Sequence, residues 1–199
     1  MPKTKDILDR LRAAGSTTPA IRAIARDLRG HPELAPALWS TNVLEARILA
    51  TMIADPLTIL EEEVERWVSE FDCWSVCDAA CICLLWRTPF AWRKVREWSR
   101  RKPEYERRAA FALLAALAIH DKAATNKQFR AAFRLITKAA TDDRPYVKKS
   151  VNWALRQIGK RNSDLREAAM DVAGQLIATE SRSARWIGRD ALRELSRRT

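Results

Sequence analysis

The sequence predicts an all-α protein, built as a solenoid of antiparallel helix pairs. Ala, Leu, Arg and Glu, which are strong helix formers, dominate the composition, and the chain has only 5 Gly and 8 Pro. No segment alternates apolar and polar residues with a period of two, so we predict no strand. From residue 43 onward, capping and proline signals start helix pairs near residues 43, 73, 104, 144 and 181. This spacing of roughly 30–40 residues is typical of helical-repeat arrays.

Helix boundaries follow from N-cap and proline signals. Two capping boxes are predicted, Asn42 with Glu45 and Thr58 with Glu61. The segment 104–120 is apolar nearly all round, so we expect it to form a central, buried layer. Helices are predicted to start at Thr4, Pro19, Pro32, Asn42, Thr58, Asp72, Thr88, Pro103, Asn126, Asp143, Ser163 and Ser181 or Ser183.

A chain of 199 residues is long enough to bury one core. We predict a single repeat domain over 1–199, with N-terminal helices in 1–40 and the repeat array in 41–199. The start, Met1 to Arg12, is charged and has no signal-peptide core, and the longest apolar run, 109–119, is shorter than the about 20 residues that span a bilayer. We therefore expect a cytoplasmic, monomeric protein without a membrane partner.

The charge balance favours a polyanionic partner. Lys and Arg number 36 against 25 Asp and Glu, which gives a net charge of +11. DNA, RNA and an anionic membrane surface are all compatible with this excess, and charge alone does not choose among them. A basic protein with no nucleic-acid role is the alternative.

All four cysteines lie in one short helical stretch, and Cys73, Cys77 and Cys81 are spaced four apart, on one side of a helix. A metal site or a redox pair is one interpretation. The other, which we favour because no His or C-x-x-C accompanies them, is that these residues and Cys83 are small core side chains in a reducing compartment. We therefore predict no metal and no cofactor.

Helical wheels separate a core stripe from a polar face in two helices. After Pro145 the core stripe is Val147, Val151, Ala154, Leu155 and Ile158, and the opposite side carries Lys149, Asn152, Trp153, Arg156 and Lys160. In the last helix the core stripe is Ala184, Ile187, Ala191, Leu192 and Leu195, and Trp186 lies among the arginines of the other side. Because guanidinium groups at every turn suit a phosphate backbone, the predicted DNA-binding residues are Lys148, Lys149, Asn152, Arg156, Lys160, Arg182, Arg185, Arg189 and Arg193.

Trp74 and Asp78 lie four residues apart at the margin of a third core stripe, which consists of Val76, Cys77, Ala80 and Leu84. Trp74 could fill the core, and Asp78 could be half of a structural ion pair, for which Arg108 is the natural partner. The alternative is that Trp74 and Asp78 have a functional role.

Four stretches of this sequence resemble the bacterial AlkD-like DNA alkylation repair proteins, which are HEAT-like repeat DNA glycosylases. They are 71–78 (FDCWSVCD), 105–111 (YERRAAF), 146–156 (YVKKSVNWALR) and 185–193 (RWIGRDALR). The resemblance covers the chain from about residue 40 to its end. It implies a right-handed superhelical solenoid of HEAT-like pairs with a basic concave face.

The resemblance also implies a catalytic cleft formed by Trp74, Asp78, Arg108 and Trp153, and a monofunctional glycosylase that excises cationic N3- and N7-alkylated purines from duplex DNA. The residue types fit this chemistry. An ionised Asp78 can stabilise the oxocarbenium character that develops on the deoxyribose, and the two indoles can hold the cationic base and the sugar. Arg108 can orient Asp78 and contact a flanking phosphate.

Two further hypotheses remain. Residues 1–40 contain no tyrosine, unlike the N-terminal helix of the family's glycosylases, so the second hypothesis is a non-catalytic DNA-binding protein on the same scaffold. It would prefer damaged or branched duplexes. The third is a protein-interaction solenoid, because helical arrays of this kind often bind peptides.

Overall fold

The computed structural model describes residues 3–15 and 17–198, and over these residues the backbone forms helices and turns but no strand, as predicted. The α-helices of this part of the chain are α1 (Thr4–Ala14), α2 (Thr18–Asp27), α3 (Ala35–Trp39), α4 (Leu44–Ile53), α5 (Glu61–Ser69), α6 (Trp74–Cys83), α7 (Ala91–Trp98), α8 (Glu104–His120), α9 (Asn126–Ala139), α10 (Pro145–Gly159), α11 (Ser163–Ile177) and α12 (Arg182–Leu195). Three short 3-10 segments accompany them, Pro32–Leu34, Leu85–Arg87 and Ser196–Arg198. None of the described helices is long and apolar enough to cross a membrane.

The predicted start of the last helix is correct, and the two predicted capping boxes are wrong. Ser181 caps α12 as predicted, accepting from the amide of Ala184. Asn42 has a positive φ of 56° and lies before the N-cap of α4. Thr58 Oγ1 donates to Asp55 Oδ2 at 3.1 Å instead of capping α5. Thr58 thus serves the preceding turn through its side chain, and Asn42 belongs to the preceding turn through its backbone amide, which donates to the carbonyl of Trp39 at 3.3 Å.

Other predicted starts are displaced by one to three residues, because the side chains chosen as caps bond elsewhere. α9 is capped by Thr125, which forms a capping box with Gln128, and α11 is capped by Asn162. Thr88 Oγ1 donates to the carbonyl of Leu85, so α7 begins later, at Ala91.

The chain divides into two compact units, Met1–Pro89 and Phe90–Thr199. The prediction of one repeat domain over 1–199, with its boundary near residue 40, stays a prediction. In the first unit, α4 contacts α1, α2, α3 and α6. Its core includes the stacked rings of Trp39 and Trp67, whose centroids are 4.2 Å apart with an interplanar angle of 3°.

The second unit is built in two rows of helices. α10 contacts both α8 and α12 and forms the middle of the first row, while α7, α9 and α11 pack behind them. Residues 108–118 of α8 are all buried, which confirms the prediction of a central layer. Gly188 brings α12 close to α11, because a Cβ at this position would lie 2.5 Å from the carbonyl oxygen of Ala173.

Hydrogen bonds in the second unit join residues 38 positions apart. This separation recurs in four bonds, and it lies within the predicted range of 30–40. The pairs are Arg108–Tyr146, Asn126–Asp164, Asn152–Asp190 and Arg156–Glu194.

Asp142, in the turn before α10, holds the starts of three first-row helices together. Its carboxylate accepts from Arg144 Nη2 at 2.6 Å and lies 3.1 Å from Arg107 Nη1 of α8, and its carbonyl accepts from Ser183 Oγ of α12 at 2.7 Å. Burial by itself would raise the pKa of Asp142, but the hydrogen bonds and charges of Arg144 and Arg107 outweigh burial and lower it below the ordinary value.

We expect Asp142→Asn to reduce the free energy of unfolding at pH 7 by about 1–3 kcal/mol, since hydrogen bonds to a charged group are lost. A carboxyl whose pKa is lowered in the folded state stabilises the fold above its unfolded pKa of about 3.9 and loses this effect as the pH falls through the folded pKa. Urea unfolding at pH 7 and pH 3 should therefore show a deficit that shrinks at the lower pH. Asp164→Asn, which breaks an exposed pair with Arg130, is the control and should stay near wild type. A deficit of equal size at both pH values would contradict this role.

Candidate functional site

Trp74 is the first residue of α6, and its side chain is directed away from the core. Trp74 is 53% exposed, so the interpretation that it fills the core is wrong. Asp78 follows one helical turn later and is half-buried. The core side of the segment is as predicted, with Val76, Cys77, Ala80 and Leu84 all buried. An exposed indole and a carboxylate therefore lie one turn apart at the margin of the core.

The loop that leads into α6 is held by Arg47 of α4, which is only 3% exposed. Arg47 Nη1 bonds to Asp72 Oδ1 at 2.9 Å, and Nη2 donates to the carbonyl of Glu70 at 2.6 Å. The guanidinium also lies over the ring of Trp39, 4.5 Å from its centroid. Fixing residues 70–72 in this way fixes the start of α6 and so the position of Trp74.

Sequence reasoning missed Arg47, although the sequence carries a signal for it. Arg47 is a cation inside the apolar stretch of α4, where Ala46, Leu49 and Ala50 are fully buried. A cation at such a position needs a partner because desolvation of an unpaired charge is costly.

Arg108, in α8 of the second unit, is 6% exposed. Its Nη1 donates to the backbone carbonyl of Tyr146 at 2.7 Å, in the first turn of α10. The neighbouring Tyr146 amide donates to Glu104 Oε1 at 3.1 Å, so α8 holds the start of α10 by two bonds. The predicted ion pair between Arg108 and Asp78 stays a prediction.

α10 has the predicted core stripe, and its five members are 0% exposed: Val147, Val151, Ala154, Leu155 and Ile158. Trp153 and Lys148 are half-buried, and Lys149 is exposed. Trp153 thus lies at the border between the core and the surface, as its position off the core stripe indicates.

The prediction that Asn152, Arg156 and Lys160 belong to an open basic face needs correction. Asn152 is 2% exposed, so its assignment to that face is wrong, and its Nδ2 donates to Asp190 Oδ2 at 2.7 Å. Arg156 and Lys160 both pair with Glu194. The physical reason is that α12 packs along this side of α10 and brings two carboxylates to it.

The pKa of Glu194 reflects its ion pairs with Arg156 and Lys160. Burial by itself would raise the pKa of Glu194, but hydrogen bonds from Lys160 and Arg156 outweigh burial and keep it below the ordinary value. Glu194 is therefore ionised at neutral pH, and it neutralises part of the charge that the sequence assigned to a phosphate.

The basic side of α12 is open to a ligand. Its core stripe is confirmed at Ala184, Ile187, Ala191 and Leu195, while Leu192 is only half-buried. Trp186 is 41% exposed. The side chains around the groove on this side are Arg182, Arg185, Trp186, Arg189, Asp190 and Arg193.

The four cysteines are free thiols. Cys77 and Cys81 are fully buried, which confirms the interpretation of these two as core residues. Cys73 and Cys83 are half-buried, and burial raises the pKa of the Cys83 thiol. A thiol with a raised pKa is a poor nucleophile at neutral pH.

Comparison with known proteins identifies a matching protein family and a solved structure with a similar fold. The sequence profile of a family described as DNA alkylation repair enzyme matches residues 4–195. A solved structure of "a new family of proteins related to the HEAT-like repeat DNA glycosylases with affinity for branched DNA structures" is similar over 98% of this chain and 88% of that chain, with 20% sequence identity and a TM-score of 0.74. The prediction of a HEAT-like helical repeat fold is thereby confirmed. The handedness and curvature of the array stay predictions.

Two other solved structures are more distant. An engineered protein is 14% identical, with a TM-score of 0.44 over 99% of this chain and 100% of that chain. A designed armadillo repeat protein is 16% identical, with a TM-score of 0.39 over 89% of this chain and 92% of that chain. No functionally curated protein matches the sequence.

We expect Arg47→Met to lower the free energy of unfolding by about 1–3 kcal/mol, because the aliphatic chain stays while the charged hydrogen bonds to the loop are lost. Amide hydrogen exchange should rise at the start of α6, around Trp74. The matched control, Asp72→Asn, changes a partner that is 71% exposed and should cost under about 1 kcal/mol. Wild-type protection at the start of α6 in Arg47→Met would show that Arg47 does not hold the loop.

Proposed function

Because the chain belongs to the DNA alkylation repair enzyme family, we propose that it is a monofunctional DNA glycosylase that excises cationic N3- and N7-alkylated purines from duplex DNA. The observation that carries the proposal is the exposed indole of Trp74 one turn before the half-buried Asp78 on α6. An indole face attracts a cation, and a carboxylate next to it stabilises positive charge that develops on the bound sugar.

The reaction needs little from the protein. An N3- or N7-alkylated purine is a cation, so it leaves C1′ with the electron pair of the glycosidic bond and becomes neutral. Water then adds to C1′ and loses a proton, which gives an abasic site. In this proposal Asp78 stabilises the oxocarbenium-like transition state and accepts a hydrogen bond from the attacking water. No metal or redox cofactor takes part in these steps.

The proposal assigns Arg108 and Trp153, both in the second unit, to the same reaction. Arg108 is fixed by its bond to Tyr146, so its guanidinium is preorganised to contact a phosphate or a carboxylate. The half-buried ring of Trp153 offers a second aromatic surface for the sugar or the base.

DNA binding is proposed to depend on the predicted cations that do not pair with Glu194. These are Lys148, Lys149, Arg182, Arg185, Arg189 and Arg193. Lys149, Arg182 and Arg189 are exposed, and no ion pair is formed by these three among the described residues. Arg156 and Lys160 share Glu194 and are expected to contribute less. We expect double-stranded DNA to be bound by a monomer, without sequence preference.

A second candidate function is DNA binding without catalysis. The structurally similar protein family has affinity for branched DNA structures. In this chain, the basic groove of α12 lies in a different unit from Trp74 and Asp78, so nucleic-acid binding does not require the chemistry of α6. Base release from methylated DNA distinguishes the two functions.

We expect Asp78→Asn to reduce the release of 7-methylguanine from methylated duplex DNA by at least about 100-fold, because the charge that stabilises the transition state is removed. Chromatography of the released bases measures the rate, and fluorescence anisotropy should show nearly unchanged duplex affinity. Asp55→Asn changes another half-buried carboxylate of the same unit and should retain activity. If the wild-type protein releases no base, the second candidate replaces the first; if Asp78→Asn is as fast as wild type, the assignment of Asp78 is wrong.

We expect Arg189→Ala to weaken binding to any duplex sequence and to lower the slope of log K against log salt by about 0.9, the value for one phosphate contact. Arg130→Ala is the control, since Arg130 is an exposed arginine of α9 that pairs with Asp164. Anisotropy titrations between about 50 and 200 mM salt test both variants. An unchanged slope in Arg189→Ala would remove this residue from the interface.

A further inference from the structure

We propose that Trp186 is a stacking site for an unpaired nucleobase, so that the α12 groove binds single-stranded DNA more tightly than its charge alone would allow. The proposal rests on the DNA-binding part of the proposed function and goes beyond it. It does not involve Trp74, Asp78, Arg108 or Trp153.

Trp186 lies outside the core side of α12. On the core side of α12, Ala184, Ile187, Ala191 and Leu195 are fully buried. Gly188, also on this side, brings the helix close to the backbone of Ala173 in α11. The large side chain of Trp186 is thus kept on the solvent side, 41% exposed, in a chain whose Trp39, Trp67 and Trp98 are at most 2% exposed.

The ring of Trp186 is oriented before any ligand arrives. Lys148 Nζ of α10 lies over it, 5.0 Å from the ring centroid, at a distance typical of a cation–π contact. Lys148 takes one face of the indole, and a base would stack on the opposite face. A preoriented ring loses less conformational freedom on binding than a mobile one.

The groove around the ring is built for phosphates. Arg185 is braced by the carbonyls of Thr179 and Glu180, at 3.2 and 3.0 Å, and Arg193 pairs with Asp190. Arg182 and Arg189 are exposed, and within the described residues neither forms an ion pair. Like charges spaced three or four residues apart destabilise a helix, and an anionic ligand that lies along them removes this repulsion.

The combination of an open indole and arginines is selective for bases that are not paired. The arginines hold the backbone of any nucleic acid. The indole adds a contact only with a base whose face is free, because in a duplex each base is stacked between its neighbours. The ligand class is therefore a nucleic-acid strand with unpaired bases, such as a single strand or the junction of a branched duplex.

The test compares two fluorescein-labelled probes of equal charge by anisotropy: an oligothymidylate of about 12 nucleotides and an oligomer of the same length that consists of abasic sites. Wild type should bind the oligothymidylate about 10-fold more tightly than the abasic oligomer. Trp186→Ala should lose this preference, and Trp186→Phe should keep part of it. Arg189→Ala should weaken the binding of both probes by the same factor, because this substitution removes a charge but no aromatic ring.

Equal wild-type affinity for the two probes, or an undiminished preference in Trp186→Ala, would overturn the proposal. The melting temperature of each variant shows whether it is folded. If Trp186→Ala does not fold, Trp186→Phe still tests the contribution of the ring. Base release from methylated duplex is measured on the same proteins. If the wild-type protein releases base but shows no preference for the oligothymidylate, only the stacking site is wrong. If the wild-type protein shows the preference but releases no base, only the glycosylase proposal is wrong.

Discussion

Two buried arginines hold the helices on which the proposed functions depend. Each donates to a backbone carbonyl that lies in, or just before, a later helix of the chain. Arg47 reaches the carbonyl of Glu70 before α6, and Arg108 reaches that of Tyr146 at the start of α10. Each is at most 6% exposed. A backbone carbonyl satisfies such a donor without placing a second charge in the interior. Because the carbonyl is part of the backbone, the bond also fixes the position of the later helix relative to the arginine.

The packing of α12 against α10 divides the cations of the second unit into those that pair with a carboxylate and those that stay exposed. Where α12 lies beside α10, Asp190 and Glu194 meet Asn152, Arg156 and Lys160, and the cations there connect helices. Arg182 and Arg189 of α12 are exposed instead, and they line the groove beside Trp186. The count of 36 Lys and Arg residues therefore overstates the cations available to a phosphate backbone, and the exposed Arg182 and Arg189 of α12 are among those that remain.

Two exposed indoles, Trp74 and Trp186, serve different chemistry in our proposals. Trp74 lies next to a carboxylate, which suits a cationic base and a sugar that becomes cationic. Trp186 lies among arginines, which suits a neutral base attached to an anionic backbone. The charge beside each ring therefore indicates its ligand.

The sequence alone determined what depends on helical periodicity: the all-helical class, the spacing of the repeats, the burial of α8 and the core stripes of α6, α10 and most of α12. Only tertiary structure decided which polar residues remain open, because a wheel shows the angle of a side chain but not which helix packs against it. Asn152 is buried for this reason, and the partners of Arg47 became known only from the fold. The capping boxes at Asn42 and Thr58 failed likewise, since both residues belong to the turn that precedes the helix. Periodicity is a property of one helix, whereas burial, pairing and cap choice depend on its neighbours.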